Sequence, residues 1–178
     1  MERGNAHLRC GGVKRLGAVL LILALCAAPM LSCGRQPART VQVEQADEEI
    51  LLIAEDARKT LYIFFRHLGS SGGGGDGFFI KYPFRADGGS GVAMEQLWLT
   101  NIRFRNGAYS GVLVSSPMYV RGMKKGNTVA FEIDAVTDWM FVQDGKISGG
   151  RSIKYLLEKI PENQRNVRQQ KLLQMFDN

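Results

Sequence analysis

Four residues of this 178-residue chain have side chains that could do chemistry together: Glu95, Trp98, Asp138 and Trp139. Two carboxylates at a suitable separation can act as general acid and base, and two indoles can offer flat apolar faces to a ligand or partner. Each also has a plain structural use. Tryptophans of this size fill cores, and an aspartate ahead of an apolar run can hold a turn by accepting backbone N–H bonds. A carboxylate at 95 beside Arg103 or Lys81 would need no further role. The reading is that all four are candidate binding residues and that no residue is assigned a catalytic role.

Other chemistries have little to build on. The cysteines are Cys10, Cys26 and Cys33 and the histidines His7 and His67, and most of these lie near the amino terminus. A processed chain would keep one of each, too few for a disulfide framework, a zinc site or a histidine-based triad. No metal and no cofactor is expected. Gly69 to Gly77, GSSGGGGDG, lacks the Gly-Lys-Ser/Thr ending of a phosphate loop and has no strand before it, so it reads as a flexible connector.

The amino terminus addresses the chain to a membrane. A basic leader precedes an apolar run from Leu16 to Leu31, LGAVLLILALCAAPML, which is the layout of a secretory signal over residues 1–32. That run is shorter than the roughly 20 residues a spanning helix prefers, and Pro29 interrupts its end. Met30-Leu31-Ser32-Cys33-Gly34 resembles a bacterial lipobox, making Cys33 the expected site of lipidation and the new amino terminus. Two or more acyl chains, each buried CH₂ contributing about 0.8 kcal/mol, would hold the protein on a membrane. Gly34 after the cysteine points to the periplasmic face of the outer membrane; the alternative is a soluble periplasmic or secreted product. Arg3, Arg9, Lys14 and Arg15 against Glu2 precede Cys33, so the formal charge of +6 falls to +3 without the leader. A charge that small, without a clustered basic face, does not point to nucleic acid.

The elements that must position the four residues follow in order. Residues 33–46 read as a polar tether. Asp47 is placed as the N-cap of a helix whose apolar stripe includes Ile50, Ile53, Ala54, Ala57, Leu61, Phe64, Phe65 and Leu68. Phe78 to Phe84 reads as a strand, and Val92 to Arg105 as a longer one with Met94, Trp98, Thr100, Ile102 and Phe104 on one face. Asn106-Gly107 signals a two-residue hairpin turn, pairing Phe104 with Tyr109, Ile102 with Gly111 and Thr100 with Leu113. Thr128 to Ile133 is another strand. A second hairpin at Asp144-Gly145 sets Val142 beside Ile147 and Trp139 beside Gly150, where a large ring can cover bare backbone. A helix starts at Arg151, and residues 161–178 read as a helical tail after a domain spanning 47–160. The expected fold is α+β: an amino-terminal amphipathic helix and a carboxy-terminal helix on a small, strongly twisted antiparallel sheet of about five to six strands.

The ordered series Phe78-Phe79-Ile80-Lys81, Glu95-Gln96-Leu97-Trp98, Gly111-Val112-Leu113 with Pro117, Lys125-Gly126-Asn127-Thr128-Val129, Asp138-Trp139 and Gly149-Gly150 resembles the YegJ-like family, a bacterial domain of unknown function. The likeness covers roughly Asp47 to Glu158. Gln96 stands where that pattern has histidine, and Asn127 where it has aspartate. The resemblance implies a compact α+β domain and lends no activity. The function expected is that of a small envelope-anchored lipoprotein domain acting as a binding or interaction module, with the membrane and an envelope protein as partners. Two alternatives stand beside it: a hydrolase using Glu95 and Asp138, which requires both acids in one cleft, and an inhibitor or immunity-type protein.

Overall fold

A computed structural model describes residues 48–70, 77–87 and 91–176. The signal over 1–32, the lipobox at Cys33, the tether and the Asp47 cap lie outside the described residues. Helix α1 is Glu48–Ser70, 23 residues long, and it buries Ile53, Ala54, Ala57, Leu61, Phe64 and Leu68, the three-and-four spacing expected of an amphipathic stripe. Glu48 and Glu49 sit in its first turn, where the helix dipole favours acids. Among the described residues, no helix is long and apolar enough to cross a membrane.

The strands are β1 (Phe78–Arg85), β2 (Met94–Arg105), β3 (Ala108–Leu113), β4 (Thr128–Phe131), β5 (Asp138–Gln143) and β6 (Lys146–Gly149). They form one antiparallel sheet in the order β4-β3-β2-β1-β5-β6. Helix α2 (Arg151–Glu158), a short 3₁₀ turn and helix α3 (Val167–Met175) complete the chain. Both expected hairpin turns form: Asn106 and Gly107 have φ of 51° and 80°, Asp144 and Gly145 51° and 78°. Val142 pairs with Ile147 as expected.

The register across the first hairpin departs from expectation partway along. Phe104 does pair with Tyr109, but Thr100 pairs with Val112 and Leu99 with Leu113, because β2 carries a bulge between Thr100 and Arg103. Asn101 takes φ of 50° there, a left-handed conformation that asparagine tolerates. The extra residue reverses the alternation, so Leu97, Leu99 and Ile102 all enter the core under α1. Gly111 lies opposite, where a Cβ would come within 2.9 Å of Leu99 Cβ and Ile102 Cδ1.

Each face of the sheet carries a core. The larger joins Ala57, Leu61 and Phe64 of α1 to Ile80, Leu99, Leu113, Trp139 and Phe141. The smaller, on the back, joins Phe79, Met140, Ile147, Leu157 and Phe176, with Trp98, Leu172 and Leu173 against it. The segment expected as a tail is therefore part of the domain. Asn166 and Gln169 form a reciprocal capping box that starts α3, and Phe176 ends it with a parallel bridge to Ile147.

Candidate functional site

The registers of β1 set three chemically distinct residues in one cross-strand row. Lys81 lies opposite Trp98 on β2 and opposite Asp138 on β5, all on the back face of the sheet. The fourth member arrives from α2. Gly149 and Gly150 both have positive φ, turning the chain sharply out of β6, so that Ser152 returns over Asp138. At Gly149 a Cβ would stand 2.2 Å from the Trp139 carbonyl oxygen and 2.7 Å from its ring, so only glycine fits under that indole.

Asp138 is 1% exposed and Ser152 2%. The carboxylate accepts from the Trp139 N–H at 2.8 Å on one oxygen. Its other oxygen accepts from the Ser152 N–H at 2.8 Å and the Ser152 hydroxyl at 2.6 Å. Ser152 lies in the first turn of α2, whose N-cap is a glycine without a side-chain oxygen. Asp138 thus supplies from a neighbouring strand the acceptor that a capping side chain would otherwise provide. Lys81 donates to Ser152 Oγ at 3.0 Å, and its Nζ lies 5.8 Å from the centroid of the Trp98 ring.

Burial shapes the titration of both charged groups. It pushes the Asp138 carboxyl up from the ordinary carboxylate range, opposed by the Ser152 hydrogen bonds, the Lys81 charge and the Trp139 N–H. It pushes the Lys81 ammonium down, opposed by the charge of Asp138. A lysine–serine–aspartate chain has the donors and acceptors of an activated nucleophile. At 2% exposure, however, the Ser152 hydroxyl is closed to a substrate. The arrangement works as a buried polar clamp joining β1, β5 and α2.

The other two candidates go elsewhere. Trp139 points to the front of the sheet, where its indole N–H donates to the Ala57 carbonyl of α1 at 3.1 Å and to Thr60 Oγ1 at 3.2 Å. Its ring stacks on Phe141 at 6.0 Å. Glu95 pairs in register with Phe84, a front-face core residue, so it lies on the face opposite Asp138. Its two oxygens accept from the Met118 N–H at 2.7 Å and the Tyr119 N–H at 2.8 Å, pinning the loop between β3 and β4. Neither Arg103 nor Lys81 is its partner. Asp87 fastens the same loop by accepting from the Arg121 N–H.

Sequence reasoning singled out Asp138 and Trp98 but missed Lys81 and Ser152 as their companions. One signal was present: Lys81 is the sole charge inside the run FFIKYPF. Among the described residues, no group of three His, Cys, Asp or Glu side chains could hold a metal ion. An open groove of about 450 Å³ separates α1 from α2, lined by residues that include Leu52, Lys59, Arg151 and Tyr155.

Residues 47–173 match a family described as an uncharacterized protein conserved in bacteria, DUF2314. The chain belongs to the DUF2314 family. It is 34% identical over 127 residues to an ankyrin repeat protein, so named, of Neisseria meningitidis serogroup B, covering 69% of this chain and 50% of that one. It is 30% identical over 98 residues to YegJ of Escherichia coli K12, covering 55% of this chain and 61% of YegJ. The chain thus spans about half to three-fifths of the length of these curated relatives. No solved structure matches it. The expected likeness to YegJ is a true family relationship, and the motifs that carried it include Lys81, Trp98, Asp138 and Gly149-Gly150 of the clamp.

Proposed function

We propose that this protein is a lipoprotein of the bacterial envelope, anchored through Cys33, whose DUF2314 domain is a binding or interaction module. The observation that carries the reading is the separation of the two carboxylates. Glu95 and Asp138 lie on opposite faces of the sheet, each committed to main-chain donors. They share no cleft, so they cannot act as acid and base on one bond. The anchor rests on the basic leader, the apolar run ending at Leu31 and the Leu31-Ser32-Cys33 series.

Labelling cells with a radioactive fatty acid tests the anchor. The wild type should carry label and sediment with membranes, whereas Cys33→Ser should be unlabelled and released; an unlabelled wild type refutes the anchor. Mild detergent extraction followed by size-exclusion chromatography tests the module. The protein should elute in a species larger than its monomer, and a bare monomer counts against the module.

A further inference from the structure

Strand β4 is the open edge of the sheet. Its inner side pairs with β3, and the bond from the Leu113 N–H to the Asn127 carbonyl fixes which residues point inward. Alternation then places Val129 against Gly111 and Phe131 against Tyr109 as the bonded pairs. The N–H and C=O groups of Thr128 and Ala130 are left facing outward. Both residues are exposed, and no other strand among the described residues lies beyond them. The chain after β4 turns inward at the 3₁₀ helix Ile133–Ala135, where Arg58 of α1 donates to the Val136 carbonyl, so that no segment among the described residues that follow it covers this edge.

The charges at the two ends of β4 are opposite in sign. Lys124 and Lys125 precede it and Glu132 and Asp134 follow it, and all four are exposed. Such an edge is complementary to itself run backwards. We propose that β4 pairs antiparallel with β4 of a second copy of this chain, joining two six-stranded sheets into one of twelve strands. The two-fold axis falls at Val129, with Thr128 bonded to Ala130 of the second copy and the reverse. The lysines before each β4 then meet the acids after the other. This names a partner within the module reading, and it stands independently of the lipid anchor.

Cysteine cross-linking in native membranes, with the full chain, tests the register. At a non-hydrogen-bonded antiparallel pair the Cα atoms stand about 4.5 Å apart, within disulfide range. Val129→Cys should therefore give a covalent dimer under mild oxidation. Neither the unsubstituted chain, with its own cysteines as background, nor Lys146→Cys on the opposite edge should match it. Lys124→Glu with Lys125→Glu should lower the yield at least about fivefold, and adding Glu132→Lys with Asp134→Lys should restore it. These charge swaps leave the loop intact, because it is held through the backbone N–H groups of Lys124 and Lys125. Should Val129→Cys fold poorly, light-scattering masses of the detergent-extracted wild type and charge variants give the same comparison. A wild type of dimer mass, a monomeric double variant and a dimeric fourfold variant support the pairing. No covalent dimer, an equal yield from Lys146→Cys, or an adduct with a different protein overturns it. A species larger than the monomer without the Val129 cross-link would refute this pairing while leaving the module reading in place.

Discussion

Asp138 and Ser152, on a strand and on the helix that leaves the next strand, are joined by two hydrogen bonds of 2.8 and 2.6 Å to one carboxylate oxygen. Both residues are almost wholly buried, and the contact sets where α2 begins. Replacing Asp138 by alanine strands the Ser152 N–H and hydroxyl and the Trp139 N–H away from water. The loss should be about 3 kcal/mol or more, since each unsatisfied buried donor costs roughly 1–3 kcal/mol. Asp138→Asn keeps an acceptor and should cost less. Urea denaturation of the two variants checks the order; equal midpoints would mean that the carboxylate does not cap α2.

Lys81 makes a prediction about pH. Its folded pKa lies below the ordinary lysine value, so the native state gives up that proton more readily than the unfolded chain does. In the window between the lowered value and the unfolded one, the unfolded state holds more protons, and stability from this group rises with pH. Lys81→Met lacks this gain. The wild-type midpoint in urea should therefore rise relative to the variant between pH 7 and pH 10. A difference that stays flat would show that Lys81 is not desolvated.

Asp138 has the opposite sign. Its folded pKa is raised, so the native state holds that proton more tightly, and stability from this group falls as pH climbs from the ordinary aspartate value through the raised one. Asp138→Asn should remove this acid-side slope. Melting temperatures of wild type and variant from pH 3 to pH 7 provide the comparison.

Gly149 and Gly107 share a positive φ, of 76° and 80°, but not their surroundings. A Cβ at Gly107 meets nothing within 4 Å, whereas at Gly149 it runs into the Trp139 carbonyl. Gly107→Ala should cost about 1 kcal/mol, the backbone penalty alone. Gly149→Ala must also displace β5 or Trp139, and should cost at least about 2 kcal/mol more, as overpacked cores do. Similar denaturation midpoints for the two variants would deny the close approach under the indole.

The two tryptophans should separate cleanly. Trp139 is 7% exposed and holds α1 through its N–H, so Trp139→Ala should cost roughly 3–5 kcal/mol. Trp98 is half-buried on the smaller back core, so Trp98→Ala should cost less and should also shift the titration of Lys81, which loses its aromatic neighbour. Thermal melts rank the two, and an amine titration followed by NMR reads Lys81.

The sequence by itself determined whatever depends on near neighbours along the chain. The stripe of α1 is a matter of helical period, and the turns at Asn106-Gly107 and Asp144-Gly145 need residues that accept positive φ. Those turns set the hairpin pairs nearest to them, Phe104 with Tyr109 and Val142 with Ile147. The tertiary structure decided what depends on distant packing. The bulge at Asn101 is favoured because it brings Ile102 into the core beside Leu99, a benefit invisible until α1 lies over β2. The insertion of β5 beside β1 put Asp138 next to Lys81, and the turn at Gly149-Gly150 delivered Ser152 to both. A buried charge is tolerable only where its partners converge, and these partners come from three elements 14 to 71 residues apart. No local pattern encodes that convergence, because it arises from the closure of the sheet and the burial of its back face.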